Sequence, residues 1–361
     1  MELDVVTGPS VPTYTRDLVS RLGEVLDIRV LTSKSYGASA WNQIYGMLDH
    51  SLSLRRRLRP AAIVHVDSQR LGYVAAAKVR NPMVIVCHDV LTFTRQYLDE
   101  SYESHSLFYP GIQRSLLLAG FEHASAVVCP TEFTRRELRL VRPEFSEKAT
   151  VIPWGIDRER FCAREMRVAR GRLSLPLDTK IVLAVGTESP RKNLERLVRS
   201  LASVKERLGV TLVKIGQRRE PLRSQLMSTG RSLGVASSMQ FVDSVSPTDL
   251  PWFFSAADVF VQPSLYEGFG LPPLEAMACG IPVIASRTTS LPEVLGDAAR
   301  YVSPLDEHDI SAAMIEILED GSVAAELRAR GLARAARYSW SATVSAYLSL
   351  YETVQPSRLE C

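Results

Sequence analysis

Residues 262–286 read QPSLYEGFGLPPLEAMACGIPVIAS, and this stretch decides the fold. Its pattern predicts an apolar strand, a glycine loop, a short helix, a tight turn and a second strand. Gly268 and Gly270 allow a positive φ or a close approach of the backbone to a ligand. The two prolines that follow suit the first turn of a helix, and Gly280 is typical of a residue that closes one. Free amides in that first turn favour an anion, so the loop is expected to bind a ligand.

Two glutamates mark the same stretch, Glu267 in the loop and Glu275 in the helix. A carboxylate accepts hydrogen bonds from sugar or ribose hydroxyls, often two at a time, and so fixes a polyol in one orientation. The alternative is that both glutamates are solvated charges that stabilise the helix N-terminus. The glycines and prolines around them favour the binding site.

The loop at residues 185–193, VGTESPRKN, supplies two adjacent cations. A strand is predicted to end at Val185 and a helix to begin near Asn193, which puts Arg191 and Lys192 at the carboxyl end of a strand. Two cations there neutralise a diphosphate and stabilise it as a leaving group. An Arg–Lys pair on a loop is more often simply solvated, and on these residues alone that alternative stays open.

Short β-branched runs alternate with amphipathic stretches on either side of this region. Such alternation predicts parallel sheets covered by helices on both faces. We therefore predict an α/β chain of two Rossmann-like domains facing a central cleft, residues 1–157 and 158–340, with residues 341–361 forming a last helix. The predicted strands are Leu3–Thr7, Ile28–Thr32, Ile63–Val66, Met83–Cys87, Ala126–Cys129, Thr150–Ile152, Lys180–Val185, Thr211–Ile215, Met239–Val242, Val259–Gln262, Pro282–Ala285 and Ala299–Tyr301.

Helical periodicity is clearest at Tyr14–Leu26, Trp41–Leu58 and Ser341–Val354. Apolar residues at spacings of three and four predict one buried face on the second of these helices. That face consists of Trp41, Ile44, Tyr45, Leu48 and Leu52.

Length and composition set further bounds. A chain of 361 residues exceeds what one core usually supports. Its 43 basic and 40 acidic residues give a net charge of only +3, too little to indicate a nucleic-acid partner. The five cysteines form no C-x-x-C pair, so neither zinc nor a disulfide framework is indicated. Without a long apolar run or a signal peptide, the sequence predicts a cytoplasmic protein.

The first half offers a second group of candidates. His88 and Asp89 follow a buried strand, where the carboxylate can orient the imidazole ring; a purely structural histidine is the alternative. Gly8 is the one glycine directly after the first strand, and nearby prolines lack an N–H. A basic group is formed by Arg55, Arg56, Arg57 and Arg59. These side chains suit contact with an acidic membrane surface or with the dipole of their own helix. Aromatic residues after His88 suit an acceptor wall or ordinary packing: Phe93, Tyr97, Tyr102, Phe108 and Tyr109.

These motifs together resemble the E-x7-E signature of the retaining glycosyltransferase family 4, whose fold is called GT-B. The resemblance is carried by Glu267 and Glu275 with Gly-Phe-Gly-Leu-Pro between them, by the Arg-Lys-Asn loop and by the His-Asp pair. It implies that Glu267 contacts the donor sugar and Glu275 the ribose. It also implies phosphate contacts from Arg191 and Lys192, a sugar contact from His88, retention of anomeric configuration, and a last helix that crosses back to the first domain.

The predicted site follows from these assignments. We predict His88, Asp89 and Glu267 as catalytic residues. The predicted donor site comprises Gly186, Arg191, Lys192, Val242, Gly268, Phe269, Gly270, Leu271 and Glu275, with Gly8 on the acceptor side. The expected donor is a nucleotide-diphosphate sugar, GDP-mannose-like slightly favoured over UDP- or dTDP-linked sugars. The expected acceptor is a glycan, a lipid-linked or a small molecule. Neither a metal nor pyridoxal phosphate is expected, and the chain has no Asp-x-Asp motif.

Three other classes compete. A nicotinamide-dependent oxidoreductase requires Gly-x-Gly-x-x-Gly after an early strand, but the first strand is followed by Gly-Pro-Ser. A phosphorylase of the same fold requires a lysine for pyridoxal phosphate, and Lys192 is better explained by phosphate binding. A non-catalytic nucleotide-sugar-binding protein stays open on the sequence alone.

Overall fold

The computed structural model describes residues 1–8, 12–33, 40–60, 62–77, 79–91, 93 and 110–355. The chain divides into two compact units. Unit 1 comprises Met1–Gly155 together with Trp340–Cys361, and unit 2 comprises Ile156–Ser339. Each unit contains one six-stranded parallel sheet with helices between its strands, which confirms the predicted α/β class.

The sheet of unit 1 has the strand order β2-β1-β3-β4-β5-β6, and all neighbouring strands are parallel. Its strands are β1 (Glu2–Thr7), β2 (Asp27–Thr32), β3 (Ile63–Val66), β4 (Met83–Val86), β5 (Ala126–Cys129) and β6 (Ala149–Val151). Between them lie α1 (Thr13–Leu22), α2 (Ala40–Arg57), a 3-10 helix (Gln69–Ala77), α3 (Pro110–His123), α4 (Glu132–Val141) and α5 (Pro143–Glu147).

The sheet of unit 2 has the order β12-β11-β10-β7-β8-β9, again parallel throughout. Its strands are β7 (Lys180–Val185), β8 (Val210–Ile215), β9 (Met239–Val242), β10 (Val259–Gln262), β11 (Val283–Ser286) and β12 (Arg300–Val302). Its helices are α6 (Met166–Arg172), α7 (Leu194–Leu208), α8 (Leu222–Ser232), α9 (Leu250–Ala256), α10 (Leu271–Ala278), α11 (Leu291–Leu295), α12 (Glu307–Glu319) and α13 (Gly321–Ala335), with 3-10 turns at Pro190–Lys192 and Ala236–Ser238.

The core of unit 1 is divided by its sheet because successive strand side chains point to opposite faces. Val64 and Ile85 pack on one face with Phe121 of α3, whereas Ile63 and Val84 pack on the other. The second face is covered by α1 and by the last helix of the chain, α14 (Trp340–Val354). Among its buried side chains are Trp340, Tyr347 and Tyr351. The last helix thus completes the core of unit 1, which confirms the predicted return of the chain.

The core of unit 2 is built in the same way. Val182, Leu212 and Val261 of three neighbouring strands pack beneath the apolar faces of α7 and α12. Because every strand is parallel, the loops that follow β7, β8, β9 and β10 all leave from the same edge of the sheet. That edge carries the predicted donor-site residues.

The predicted strand bounds agree with the observed ones to within one residue at either end. Two helical expectations were wrong. The first helix ends at Leu22, just before Gly23, and not at Leu26. Leu52 was expected on a buried face but is 59% exposed, while Leu54 of the same helix is fully buried. The side chains of Trp41, Ile44, Tyr45 and Leu48 lie outside the described part of the chain.

Phe93 is buried in the core of unit 1 with its ring centroid 6.0 Å from that of Phe121, so ordinary packing explains it. The other aromatic residues named with it, Tyr97, Tyr102, Phe108 and Tyr109, lie outside the described residues. Within the described ranges, no helix is long and apolar enough to cross a bilayer.

Candidate functional site

The centre of the candidate site in unit 2 is a three-residue ionic cluster of Glu267, Lys192 and Arg191. Lys192 Nζ lies 2.6 Å from Glu267 Oε1, and Arg191 Nη1 lies 2.9 Å from Glu267 Oε2. The cations follow β7 and the carboxylate follows β10, two adjacent strands of the sheet. The structure therefore brings together three residues that the sequence placed in two separate motifs.

Neutral groups hold Glu267 in this position. Gln262 Nε2 and Ser264 Oγ both donate to Glu267 Oε1, at 2.5 and 2.7 Å. The backbone is fixed as well, because Glu267 N–H donates to Thr289 Oγ1 and Ser290 Oγ donates to the Glu267 carbonyl. A carboxylate held from so many directions is preorganised, and its orientation does not depend on a ligand.

The cluster is charged. Burial by itself raises the pKa of Glu267, but the charges of Lys192 and Arg191, with hydrogen bonds from Lys192 and Ser264, outweigh it and lower the pKa to about 2. Burial lowers the pKa of Lys192, and the Glu267 charge opposes that shift. With one carboxylate and two cations, the cluster carries a net charge of +1 and attracts an anion.

Two residues with a positive φ, Gly186 and Asn193, help to position the cations. Gly186 has φ +148°, and a Cβ on it would lie 3.1 Å from Lys192 Cε, so the lysine side chain passes over a glycine that cannot be replaced without strain. Asn193 has φ +56°, and its Nδ2 donates to the carbonyls of Pro263 and Pro304. These bonds tie the end of the cation loop to the segments that follow β10 and β12.

The glycine loop leads into α10 through Gly270, whose φ of +96° and whose close approach to Leu291 both require glycine. Pro272 and Pro273 occupy the first turn and remove two of the amides that begin a helix without an intrahelical partner. This helix end therefore offers fewer free amides to an anion than a helix without prolines in its first turn.

The remaining predicted donor residues differ in exposure. Gly268, Leu271 and Glu275 are half-buried, whereas Phe269 is 2% exposed with its ring 5.8 Å from that of Tyr338. The ring of Phe269 is thus a core side chain, which leaves the backbone of Phe269 as the part expected to face the donor. Val242 is half-buried and accepts a hydrogen bond from Gly216 N–H at the ends of β8 and β9.

Sequence reasoning missed a second ionic network at the same edge of the sheet. The carboxylate of Glu188 is fully buried and accepts hydrogen bonds from Lys214 Nζ (3.2 Å), Arg219 N–H (2.9 Å) and Arg223 Nε (2.8 Å). Arg223 also pairs with Asp243 and lies 4.0 Å above the ring of Phe241. The network joins the cation loop to the loop after β8. Its signal was Lys214, the one charged residue in the strand β8.

In unit 1, His88 and Asp89 follow β4 and are organised by the segment that follows β3. His88 Nε2 lies 2.5 Å from the carbonyl oxygen of Asp67. Because a carbonyl only accepts, Nε2 carries the proton and Nδ1 keeps its lone pair. Nδ1 is buried and finds no partner among the residues that the structure describes. Burial lowers the pKa of His88, which keeps the ring neutral near pH 7.

Asp67 was missed by sequence reasoning and connects three parts of unit 1. Its Oδ2 accepts hydrogen bonds from Thr7 Oγ1 (2.5 Å) at the end of β1 and from Thr15 Oγ1 (3.2 Å) in α1. Burial raises its pKa, while the two threonines and His88 oppose the shift. Gly8, the predicted acceptor-side glycine, directly follows Thr7 and is half-buried. Asp67 therefore ties the end of β1, next to Gly8, to α1.

The basic group at the end of α2 is only partly as expected. Arg55, Arg56 and Arg57 are exposed. Arg59 instead pairs with Asp4 (2.9 Å) and Asp27 (2.6 Å). Including Arg59 in a membrane-facing group was therefore wrong, because its guanidinium group is paired with carboxylates on β1 and β2 of the unit 1 sheet.

Each unit is an α/β unit with a parallel sheet, and the carboxyl edge of one sheet carries a carboxylate held between an arginine and a lysine. This fold and this site define a glycosyltransferase of the GT-B class. Two family models match the chain: Glycosyltransferase Family 4 over residues 3–160 and Glycosyl transferases group 1 over residues 166–335. The two models together cover most of the chain, which belongs to glycosyltransferase family 4 and is an enzyme.

Individual proteins agree with this assignment. The chain is 29% identical to O-antigen chain mannosyltransferase B of Escherichia coli, over 92% of this chain and 94% of that protein. Its fold matches sucrose-phosphate synthase from Thermosynechococcus elongatus, with a TM-score of 0.82, 21% identity and 98% of each chain covered. It also matches Anabaena HepE in complex with UDP-glucose, with a TM-score of 0.80, 16% identity, and 98% of this chain and 100% of that chain covered.

Proposed function

We propose that this glycosyltransferase takes its sugar from a nucleoside-diphosphate donor and transfers it with retention of anomeric configuration. The observation that carries the proposal is the Glu267–Lys192–Arg191 cluster, a net cationic group built around a carboxylate. A donor of this class presents the matching pair of groups, a diphosphate for the cations and sugar hydroxyls for the carboxylate. Similarity to a named mannosyltransferase favours mannose, with GDP-mannose ahead of UDP- or dTDP-linked sugars.

Binding in this scheme is an exchange of partners. Arg191 and Lys192 donate hydrogen bonds to the diphosphate oxygens. Glu267 in turn accepts hydrogen bonds from hydroxyls of the sugar. Glu267 keeps the bonds from Gln262 and Ser264 and so stays in place during the exchange. Glu275, in the helix α10 that follows the glycine loop, accepts hydrogen bonds from the ribose hydroxyls.

The chemical step is a front-side substitution. The bond between the anomeric carbon and the phosphate oxygen breaks, and the acceptor oxygen bonds to the same face of that carbon. The acceptor proton passes to the departing phosphate oxygen, so atoms and charge balance without a side-chain nucleophile. Arg191 and Lys192 stabilise the negative charge that develops on the diphosphate. His88, neutral and with a lone pair on Nδ1, accepts a hydrogen bond from a hydroxyl of the transferred sugar.

Peripheral membrane contact is a further part of the proposal, because the acceptor class includes lipid-linked glycans. It is supported by the exposed Arg55, Arg56 and Arg57 at the end of α2 and by the exposed Leu52 about one turn earlier. Basic side chains near a surface attract anionic headgroups. Co-sedimentation with phosphatidylglycerol vesicles, but not with phosphatidylcholine vesicles, is the expected result, and a charge-reversed triple variant should not sediment.

The test of the donor is a panel of GDP-mannose, UDP-glucose, UDP-galactose and dTDP-glucose. We expect one of them to raise the melting temperature by mass action and to be consumed with release of its nucleoside diphosphate. Proton coupling constants of the product at the anomeric position then report retention or inversion. Stabilisation by none of the nucleotides would overturn the donor class, and an inverted product would overturn the mechanism.

A further inference from the structure

Gln69 occupies a buried position between the ends of two strands in unit 1. It is the first residue of the 3-10 helix that follows β3, and it is 1% exposed. β3 and β4 are neighbours in the sheet, so the segment after β3 lies beside the segment after β4. The segment after β4 begins with Cys87 and carries His88 and Asp89.

The oxygen and the nitrogen of the Gln69 side-chain amide both form hydrogen bonds with those two residues. Oε1 accepts a hydrogen bond from the backbone N–H of His88 at 3.1 Å. Nε2 donates to the carbonyl of Asp89 at 2.8 Å and lies 3.4 Å from Asp89 Oδ1. A primary amide offers a donor and an acceptor on one rigid plane, so a single side chain fixes two consecutive backbone groups and one carboxylate.

Gln69 does not restrain the imidazole ring of His88, and the neighbouring Asp67 fixes that ring. Its carbonyl accepts from His88 Nε2, which selects the tautomer with an open lone pair on Nδ1. Gln69 sets the backbone of His88, and Asp67 sets its imidazole. Together they aim a buried nitrogen that has no partner among the described residues.

We infer that Gln69 is a positioning residue for the transfer reaction, holding His88 and Asp89 in the geometry that the sugar requires. The inference rests on the proposed function, because it assigns Gln69 a role toward the same site. It differs from a packing role in one respect. Apart from a long hydrogen bond that Gln69 Oε1 accepts from Ser68 Oγ (3.5 Å), the hydrogen bonds of the Gln69 side chain are directed at two residues of the site, so its loss should affect turnover more than it affects stability.

Asn81 is a matched control in the same unit. Its Nδ2 likewise donates to two backbone carbonyls, those of Arg59 (2.9 Å) and Ala62 (2.7 Å), and it is part-buried. It precedes β4, at the end of that strand opposite to His88. Substitution of Asn81 therefore removes equivalent hydrogen bonds without touching His88 or Asp89.

Two variants separate the two contacts of Gln69. Gln69→Leu removes both, and Gln69→Glu keeps the acceptor for His88 N–H but places a carboxylate oxygen against the Asp89 carbonyl and carboxylate. Hydrogen exchange of the peptide containing His88 should quicken in Gln69→Leu and stay near the wild-type rate in Gln69→Glu. Turnover should fall about 10- to 100-fold in both, as expected for a displaced catalytic group, with little change in the donor KM. Asn81→Leu and Asn81→Asp should leave both measurements unchanged.

The outcomes are distinguishable. Unchanged exchange at His88 in Gln69→Leu would overturn the contact itself, whatever the activity of the enzyme. Faster exchange with wild-type turnover would show that the contact is structural only, as would equal losses of turnover in the Asn81 variants. A wild-type protein that turns over no nucleotide sugar, with faster exchange in Gln69→Leu, would overturn the proposed donor and the positioning role but not the contact.

Discussion

Lys192 Nζ and Glu267 Oε1 lie 2.6 Å apart although 75 residues separate them in the chain. The contact joins the loop after β7 to the loop after β10. It also joins the cation that we assign to the donor phosphates to the carboxylate that we assign to the donor sugar. Under the proposed function, stability and donor binding therefore both depend on this pair of side chains.

The first prediction concerns the stability of this pair. Lys192→Met should cost about 3 to 5 kcal/mol in the free energy of unfolding, because it leaves a buried carboxylate without its nearest cation. The double variant Lys192→Met/Glu267→Gln should lose less than the sum of the single losses, since it leaves no uncompensated partner in that pair. Urea denaturation measures all three. Arg199→Met, which breaks an exposed pair with Glu195, is the control and should change little. Additive losses in the double variant would contradict the coupling.

The second prediction concerns pH. The pKa of Glu267 is lowered from its ordinary 4.5 to about 2, so the carboxylate contributes stability above pH 4.5 and loses it as the pH falls toward 2. The contribution is about 3 kcal/mol when fully present. The stability difference between wild type and Glu267→Gln should be constant from pH 5 to 7 and shrink below pH 4.5. A difference that grew on acidification would refute the depressed pKa.

The third prediction separates the two glutamates. Glu275→Ala should weaken binding of the free nucleoside diphosphate by roughly 1 to 3 kcal/mol, because ribose hydroxyls lose their acceptor. Glu267→Gln should leave that affinity unchanged or raise it, because Arg191 and Lys192 are released from their carboxylate, yet turnover should fall sharply. Calorimetry with the diphosphate and steady-state rates test both halves. Equal losses of affinity in the two variants would contradict the division of roles.

The fourth prediction concerns Gly186. Gly186→Ala should cost about 1 to 3 kcal/mol of stability because of its positive φ, and it should weaken donor binding because the new methyl group displaces Lys192. Gly171→Ala is the matched control. It lies in α6 with no heavy atom within 4 Å of the added methyl, so it should be neutral or stabilising. Wild-type donor affinity in Gly186→Ala would show that the position of Lys192 is not critical.

The fifth prediction concerns metals. We propose that Arg191 and Lys192 neutralise the diphosphate, so the rate should be unaffected by an excess of EDTA. The measurement is release of nucleoside diphosphate with and without the chelator. Loss of activity that magnesium or manganese restores would show that a metal shares this task.

The sequence predicted the strands well because buried parallel strands are continuous apolar runs bounded by polar loops, a strong local signal. It predicted the glycine loop and the cation loop for the same reason, since their residues are adjacent in the chain. The error at Leu52 has a different origin. Helical spacing identifies residues on one face of α2 but does not say how far along the helix that face stays covered.

What the sequence could not give are contacts between distant residues. Arg59 pairs with Asp4 and Asp27, which are 55 and 32 residues away, and no local pattern marks such partners. Gln69 and Asp67 were missed for the same reason, because a single polar residue after a strand is ordinary until the neighbouring strand is known. Their importance emerges only when β3 and β4 lie side by side.

The assignment of α14 to unit 1 has a consequence for how the protein is made. Unit 2 is one uninterrupted stretch of chain, whereas unit 1 combines residues that are synthesised before unit 2 with residues that are synthesised after it. Until Trp340, Tyr347 and Tyr351 emerge from the ribosome, Leu3, Val5 and the other apolar residues on that face of the sheet are covered by α1 but not by α14. The amino-terminal part of unit 1 therefore cannot complete its core before unit 2 has been synthesised, and it exposes apolar surface in the meantime.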